Sequence, residues 1–323
     1  MLNTATYISA SSFLGAALAI GFGAIGAAVG EGYAAGLANQ ALSFRPEKSG
    51  DVLKNMLVGQ AIAESAAIFA LVVAILLLFS TPQPKTVLIA WAAIGAGLSM
   101  GLSAIGSGVG AGLPAGSACV GIVRQPQNAN KVLTTMLIGS AVCQTPAIFG
   151  MVIAFLLLFL DFSNMPVYPG WAALLGAGLA TGLAAGGPGV GNGLTSREAV
   201  TGVARNPEAG TETNRVMLIG LSVGQSTAIY GFLISLLLVF TGLEKSTSLS
   251  DSFRLLGAGL SSGFGGIGPG VGLGVVAAYA CKWVARRPEA TGILTRTMLV
   301  GMAVTESTSI YALIVALLLV IVF

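Results

Sequence analysis

Histidine is absent from the 323 residues, and Asp, Glu, Lys and Arg together supply only 8% of them. A soluble domain carries roughly a quarter charged residues, so this chain has too little charge to clothe a water-facing surface. Without histidine there is no His-based catalytic or metal-ligating constellation to look for. Cysteine is nearly as scarce: Cys119, Cys143 and Cys281 sit in apolar or small-residue segments without paired spacing. They read as small packed hydrophobes and not as a disulfide or metal set. Charge of neither sign dominates, since 15 basic residues against 12 acidic ones leave a net +3. That balance gives no ground for a nucleic-acid partner. A phosphate-cradling loop is missing too, because no glycine-rich stretch ends in Lys-Ser or Lys-Thr, and all of them lie in apolar runs. No Lys or Arg precedes the first apolar stretch, which begins near Tyr7 and outruns a signal h-region, so it reads as a retained span.

What is abundant is apolar: 55% of the residues are hydrophobic, 46 are glycine, and the mean hydropathy is +0.89. The class is an all-α integral membrane protein. Its organisation is an internal repeat. "GQAIAESAAIFALVVAILLLF", "GSAVCQTPAIFGMVIAFLLLF", "GLSVGQSTAIYGFLISLLLVF" and "GMAVTESTSIYALIVALLLV" begin at Gly59, Gly139, Gly220 and Gly301, a spacing of 80, 81 and 81 residues. Each follows a Pro-containing polar loop, and each loop follows a Gly-rich apolar run. One unit is thus a Gly-rich helix, a polar loop and a Leu/Ile/Val-rich helix. Four units, 1–80, 81–161, 162–242 and 243–323, predict eight membrane spans near 8–42, 52–79, 87–122, 132–160, 168–203, 213–241, 250–284 and 293–322. At 1.5 Å per residue, roughly 20 residues cross a bilayer core, so several spans must tilt or project.

Small residues recur one turn apart at Gly26/Gly30, Gly106/Gly110, Gly187/Gly191 and Gly268/Gly272. Such a stripe lets backbones approach in lipid, where apolar burial supplies no drive, and predicts a crowded inner layer of first helices. The bulky ends of the second helices suit lipid. A row of hairpins leaves two unpaired faces that closure into a ring removes. The basic residues Arg45, Lys48, Lys54, Arg124, Lys131, Arg205, Arg215, Lys282, Arg286, Arg287 and Arg296 cluster at the Pro loops, whereas the opposite connections hold Lys85, Lys245 and Arg254 beside Asp161, Glu244 and Asp251. The positive-inside rule then puts the Pro loops in the cytoplasm and both chain ends outside. Asp51 suits a helix N-terminus.

One polar position recurs in the second helices: Glu64, Gln144, Gln225 and Glu306. An ionisable group at bilayer depth is expensive and marks function by default. Only Glu64 and Glu306 can ionise, and Gln144 and Gln225 keep the polar shape without the proton. The matching first-helix positions are Glu31, Ala111, Asn192 and Leu273.

The Gly-rich inner helix, the loops "ARNPE" and "ARRPE" and the outer-helix "AESAAIF" and "TESTSIY" resemble the rotor-ring proteolipid of rotary ATPases, in its F-type form and its V-type relative. The resemblance covers almost the whole chain, but four fused hairpins depart from the one of the usual F-type proteolipid and the two of the common V-type form. It implies a ring of copies in which Glu64 and Glu306 carry H⁺ or Na⁺ past a stator subunit with a basic residue facing the ring. It also implies that Arg124, Pro126, Arg205, Pro207, Arg286 and Pro288 seat the central stalk. The first unit departs from that loop motif, with Phe44 where the Arg falls and Arg45 beside Pro46. Sodium-carrying members pair the Glu with a following Ser or Thr, a Tyr one turn on and an inner-helix Gln. Ser307, Thr308 and Tyr311 fit the outer half of that set, while Leu273 replaces the Gln; around Glu64 stand Ser65, Ala66 and Phe69, with Glu31 opposite. Asn192 and Gln225 are further candidate partners. Neither set is complete for sodium, which favours H⁺.

A lone carboxylate in low dielectric is carried through lipid as the neutral acid, and opposite a stator arginine and an aqueous half-channel it ionises and exchanges. The expected function is therefore ion transport coupled to ATP synthesis or hydrolysis elsewhere in a complex, with no cofactor, in a prokaryotic cytoplasmic membrane. Two other classes fit the bare composition: a stand-alone ion or solute carrier using the two glutamates for coupling, and a structural membrane pore.

Overall fold

The computed structural model describes residues 4–80, 86–240 and 248–322. Lys85, Glu244 and Lys245 lie outside them. Ten α-helices occur in this part: α1 Thr4–Phe44, α2 Ser49–Phe79, α3 Leu88–Arg124, α4 Ala129–Cys143, α5 Thr145–Phe159, α6 Val167–Arg205, α7 Gly210–Gly224, α8 Ser226–Phe240, α9 Leu249–Val284 and α10 Thr291–Leu317, the last ending in a π-turn over Leu318–Val322. They make the eight spans and four hairpins that the repeat predicts, because α4 with α5 and α7 with α8 each form one interrupted span.

Each hairpin turns through a short 3₁₀ segment that opens on its proline, at Pro46, Pro126, Pro207 and Pro288. Proline suits the first turn of a helix, where its missing N–H has no partner to lose. The interruptions fall at Gln144 and Gln225. Pro146 explains the first, since its ring nitrogen cannot bond the carbonyl a turn earlier. At the second, Gly224, a poor helix former, precedes the break. At Glu64 and Glu306 the helices run unbroken.

The first helices pack in chain order, α1 on α3, α3 on α6 and α6 on α9, and the second helices lie outside them against the grooves between neighbours. What permits the inner layer is the absence of side chains. A Cβ on Gly26 would lie 2.5 Å from the Ala104 carbonyl oxygen, one on Gly106 2.2 Å from Gly186, and one on Gly187 2.3 Å from Ile267. Each of these three glycines faces the following helix. A second set faces the preceding one: a Cβ on Gly112 would meet Gly30, on Gly193 Gly110, and on Gly274 Gly191, all within 2.4 Å. The contact is therefore head-to-tail, with unlike faces meeting.

Both ends of the row keep those faces open. Gly268, the fourth member of the forward-facing set, has no atom within 4 Å of an added Cβ, and neither does Gly32, the first member of the backward-facing set. The front of α9 thus complements the back of α1, and a second copy can continue the row until it closes. The three cysteines are free and buried, as their apolar context predicts.

Gly268→Leu tests this closure. The new side chain meets nothing within one chain, so extraction yield and helix content should stay at wild-type levels. Where its three counterparts touch the next helix there is no room for it, so native mass spectrometry of detergent extracts should show at least a tenfold loss of closed oligomers.

Candidate ion-carrying site

The repeat places its polar position at mid-helix in all four outer spans, and the packing decides what each side chain meets. Glu306 on α10 is half-buried, and one of its carboxylate oxygens, Oε1, accepts a 2.6 Å hydrogen bond from the phenol of Tyr230 on α8. The bond crosses from the third hairpin to the fourth. Gln144, nearly buried, reaches the same way: its Nε2 donates to the Ile62 carbonyl of α2 at 2.9 Å and, more weakly, to the Ser107 carbonyl at 3.5 Å. Glu306 and Gln144 therefore share one geometric rule. The polar group of one hairpin engages the outer helix of the hairpin before it.

That rule relocates the companions expected for Glu306. Ser307 donates to the Val304 carbonyl and Thr308 to the Thr305 carbonyl, both within their own helix, and Tyr311 is 63% exposed. None of the three is brought to Glu306. The tyrosine at the carboxylate is Tyr230, one repeat earlier than Tyr311, and the 81-residue spacing is the signal in the sequence that points to it. Ser226, one repeat before Ser307, has a buried hydroxyl beside the Tyr230 phenol. Leu273 is fully buried, so the inner-helix side of this site is apolar.

Glu64 stands differently. Its side chain, on the first of the four hairpins, is exposed. Glu31 on α1 is half-buried, and Gln60 ties the two helices at this level by donating to the Glu31 carbonyl at 3.2 Å. Ser65 donates to the Ala61 carbonyl. In the third hairpin Gln225 is half-buried at the helix break, and Asn192 is buried beneath Gly224 with its Nδ2 unpaired among the described residues. Among the described residues no group of three or more acidic or cysteine side chains gathers as a metal site. Asn55, which no sequence motif marks, bridges hairpins one and two by donating to the Ala115 carbonyl at 3.3 Å and contacting Cys119 Sγ at 3.2 Å.

At the Pro-loop end, Arg124 and Arg205 close α3 and α6, exposed, while Arg286 lies just past α9 with its guanidinium 4.9 Å from the Trp283 ring centroid. Pro126, Pro207 and Pro288 open the adjoining turns, and Asn206 donates to the Ala285 carbonyl at 3.0 Å, joining two of the tips. Asp51 falls in the first turn of α2 beside Lys48, at 3.9 Å.

Tandem membrane hairpins with a glycine-lined inner layer and a mid-span carboxylate or amide in every outer helix define a ring-forming proteolipid. The ATP synthase C-subunit family matches the chain four times, at residues 14–77, 94–157, 175–238 and 256–319, one match per hairpin. The chain belongs to that family. It is 34% identical over 227 residues to the K subunit of the A-type ATP synthase of Methanocaldococcus jannaschii, covering 70% of this chain and 94% of that protein. Single hairpins find shorter relatives: the ATP synthase c-subunit of Petrotoga mobilis is 58% identical over 66 residues, 20% of this chain and 69% of that one. That of Natranaerobius thermophilus is 43% identical over 82 residues, 25% and 94% respectively.

Tyr230→Phe removes the phenol that donates to Glu306 and keeps the ring. Carbodiimide labelling at Glu306, resolved by peptide mass spectrometry, should change in rate by threefold or more while labelling at Glu64 stays within experimental scatter.

Proposed function

We propose that this chain is the membrane rotor-ring subunit of a rotary ATP synthase or ATPase and that Glu64 and Glu306 carry its transported ion. The single observation that carries the reading is the Tyr230 to Glu306 bond, 2.6 Å long and formed between adjacent hairpins. A carboxylate held by one neutral donor and backed by an apolar inner helix is poised to be stored at low cost and released when a stator charge and water replace that donor. Membership of the C-subunit family supports the same role and disfavours a stand-alone carrier. The protein supplies transport, and the nucleotide chemistry belongs to other subunits.

The rule that each polar group engages the preceding hairpin extends to Glu64 through the next copy. There Tyr311, one repeat on from Tyr230, stands 63% exposed on the open face of α10. The Glu64 site is completed by Tyr311 and Ser307 of a neighbouring copy, with Glu31 on its inner side. The Glu306 site lies within one chain, walled by Leu273. The apolar wall and the scarcity of oxygen ligands around Glu306 favour H⁺ over Na⁺ there, because a cation stripped of water needs several oxygens in its place.

In the membrane the Pro loops face the cytoplasm and both chain ends the other side, on the strength of the basic loop residues. Arg124, Arg205 and Arg286 with their prolines then form much of the stalk-docking face, and a stator subunit presents a basic residue to the ring's outer surface. A prokaryotic cytoplasmic membrane is the setting. A ring of n chains has 4n hairpins but 2n carriers, which divides the energy of each ATP among fewer ions and suits pumping against a steep gradient.

Glu64→Gln and Glu306→Gln should each impair ion-coupled turnover, and together should abolish transport in reconstituted vesicles while the ring still assembles. Normal transport in the double variant would refute the carrier assignment. With wild-type rings, slowing of carbodiimide labelling by Na⁺ at constant pH identifies sodium, and labelling that follows pH alone identifies protons. Neutralising Arg124, Arg205 and Arg286 together should lower stalk-bound complex yield severalfold and flatten its salt dependence, with ring yield unchanged.

A further inference from the structure

The inner helices expose one face that neither their neighbours nor the outer helices cover. On α6 it is the stripe Trp171, Leu175, Leu179, Leu183, Val190 and Leu194, each half-exposed. From Leu175 to Leu194 the rise is about 29 Å at 1.5 Å per residue, close to the roughly 30 Å of a bilayer's hydrocarbon core. Trp171 marks one end, its ring 5.4 Å from Trp91, which in turn stacks edge-on with Tyr7 at 6.4 Å. Trp and Tyr collect at the headgroup level of membranes. The inner face is thus dimensioned for lipid and not for water.

At its other end the four hairpins cease to be alike. Where α1, α3 and α9 have Gly36, Gly116 and Ala278, α6 has Arg197, followed by Glu198. Lys282 on α9 stands where the others have Gln40, Val120 and Thr201. A cavity of about 140 Å³ lies between α6 and α9, walled by Arg197, Glu198, Tyr279 and Lys282 and floored by Leu194 and Val275. Arg197 pairs with Glu198 at 3.1 Å, and Lys282 Nζ sits 5.5 Å from the Tyr279 ring centroid. Two cations against one carboxylate leave a single positive charge. The cavity opens away from the outer layer, because the residues of these helices that meet the outer helices are others, Ser196 at Gly139 and Ala277 at Gly220.

We infer that this cavity is a binding site for the headgroup of one anionic phospholipid per chain, whose acyl tails run down the apolar stripe inside the ring. Charge, depth and shape agree on that occupant. The phosphate meets Arg197 and Lys282, Tyr279 offers its phenol at the same level, and Leu194 and Val275 begin the apolar wall immediately below. Arg197 lies eight residues short of the helix end at Arg205, roughly 12 Å beneath the loop tips, at headgroup depth and below a protein docked on those tips. Glu198 keeps Arg197 directed and trims the charge to what a singly charged phosphodiester neutralises. Such a site would seat one lipid at a fixed place on every chain.

The test uses the isolated ring, with no stalk or stator present, in nanodiscs of dioleoylphosphatidylglycerol or dioleoylphosphatidylcholine, followed by detergent release and native mass spectrometry. Wild-type rings should retain about one phosphatidylglycerol per chain and at least fivefold less phosphatidylcholine. Arg197→Gly with Lys282→Gln, which copies residues found at the same positions of other hairpins, should lower phosphatidylglycerol retention at least fivefold. Arg215→Gln with Arg296→Gln removes the same charge from the outer layer and should leave retention unchanged. Equal retention of both lipids, no fall in the inner-face variant, or an equal fall in both variants would overturn the site.

Discussion

Backbone contact between inner helices is the constraint on which everything else in this protein depends. In lipid, apolar side chains gain nothing by leaving solvent for one another, so helices associate through close van der Waals fit. Glycine at matched heights brings carbonyls of neighbouring helices to where a Cβ would stand, 2.0 Å from the Gly189 oxygen in the case of Gly110. An inner layer so narrow, beneath an outer layer of Leu, Ile, Val and Phe, has to curve. The curvature sets the outer helices against grooves between inner ones, and that placement brings a polar group of one hairpin to the helix of the hairpin before it. The Tyr230 bond to Glu306 is in this sense a consequence of glycines that never touch it.

Much of this is legible in the residues. Hydropathy and the 80- and 81-residue spacing identify the eight spans, and the proline of each loop marks its turn. The aligned Glu and Gln positions single out the polar level, and the small-residue stripe identifies the inner layer. What cannot be read is which neighbour each side chain meets. The family resemblance suggests Ser307, Thr308 and Tyr311 for Glu306, but on a helix those residues occupy other faces, and the first two turn their hydroxyls back to carbonyls of the preceding turn. Tyr230 is 76 residues away in the chain and beside the carboxylate in space. Contacts of that kind follow from the register of one hairpin against the next, which no single hairpin encodes. The helix break at Gln225 is likewise invisible in the residues, because no proline announces it as Pro146 does the one at Gln144.

The breaks coincide with the two amides, and the coincidence has a physical sense. A glutamine at bilayer depth must satisfy an amide N–H₂ permanently, since it has no neutral state that needs fewer bonds. Gln144 does so with the carbonyl oxygens of Ile62 and Ser107. Such bonds pin the outer helix to its neighbours, whereas a carboxylic acid that must exchange cannot be pinned in the same manner. Gln144 thus ties its outer helix to the hairpin before it, at the level where Glu306 stands in the fourth hairpin.

Order around the ring then shapes how such a rotor turns. The hairpins follow in chain order, so Glu306 of one copy adjoins Glu64 of the next, and Gln144 and Gln225 separate them from the following pair. The ionisable positions therefore come two together and are followed by two amides, not at even intervals. Glu306, bonded to Tyr230 within its chain, and Glu64, exposed on the first hairpin, are also unlike in their surroundings. Uneven spacing and unequal sites both trace to one feature, the fusion of four hairpins into a single chain, which lets each repeat diverge while the glycine contacts keep them in one circle.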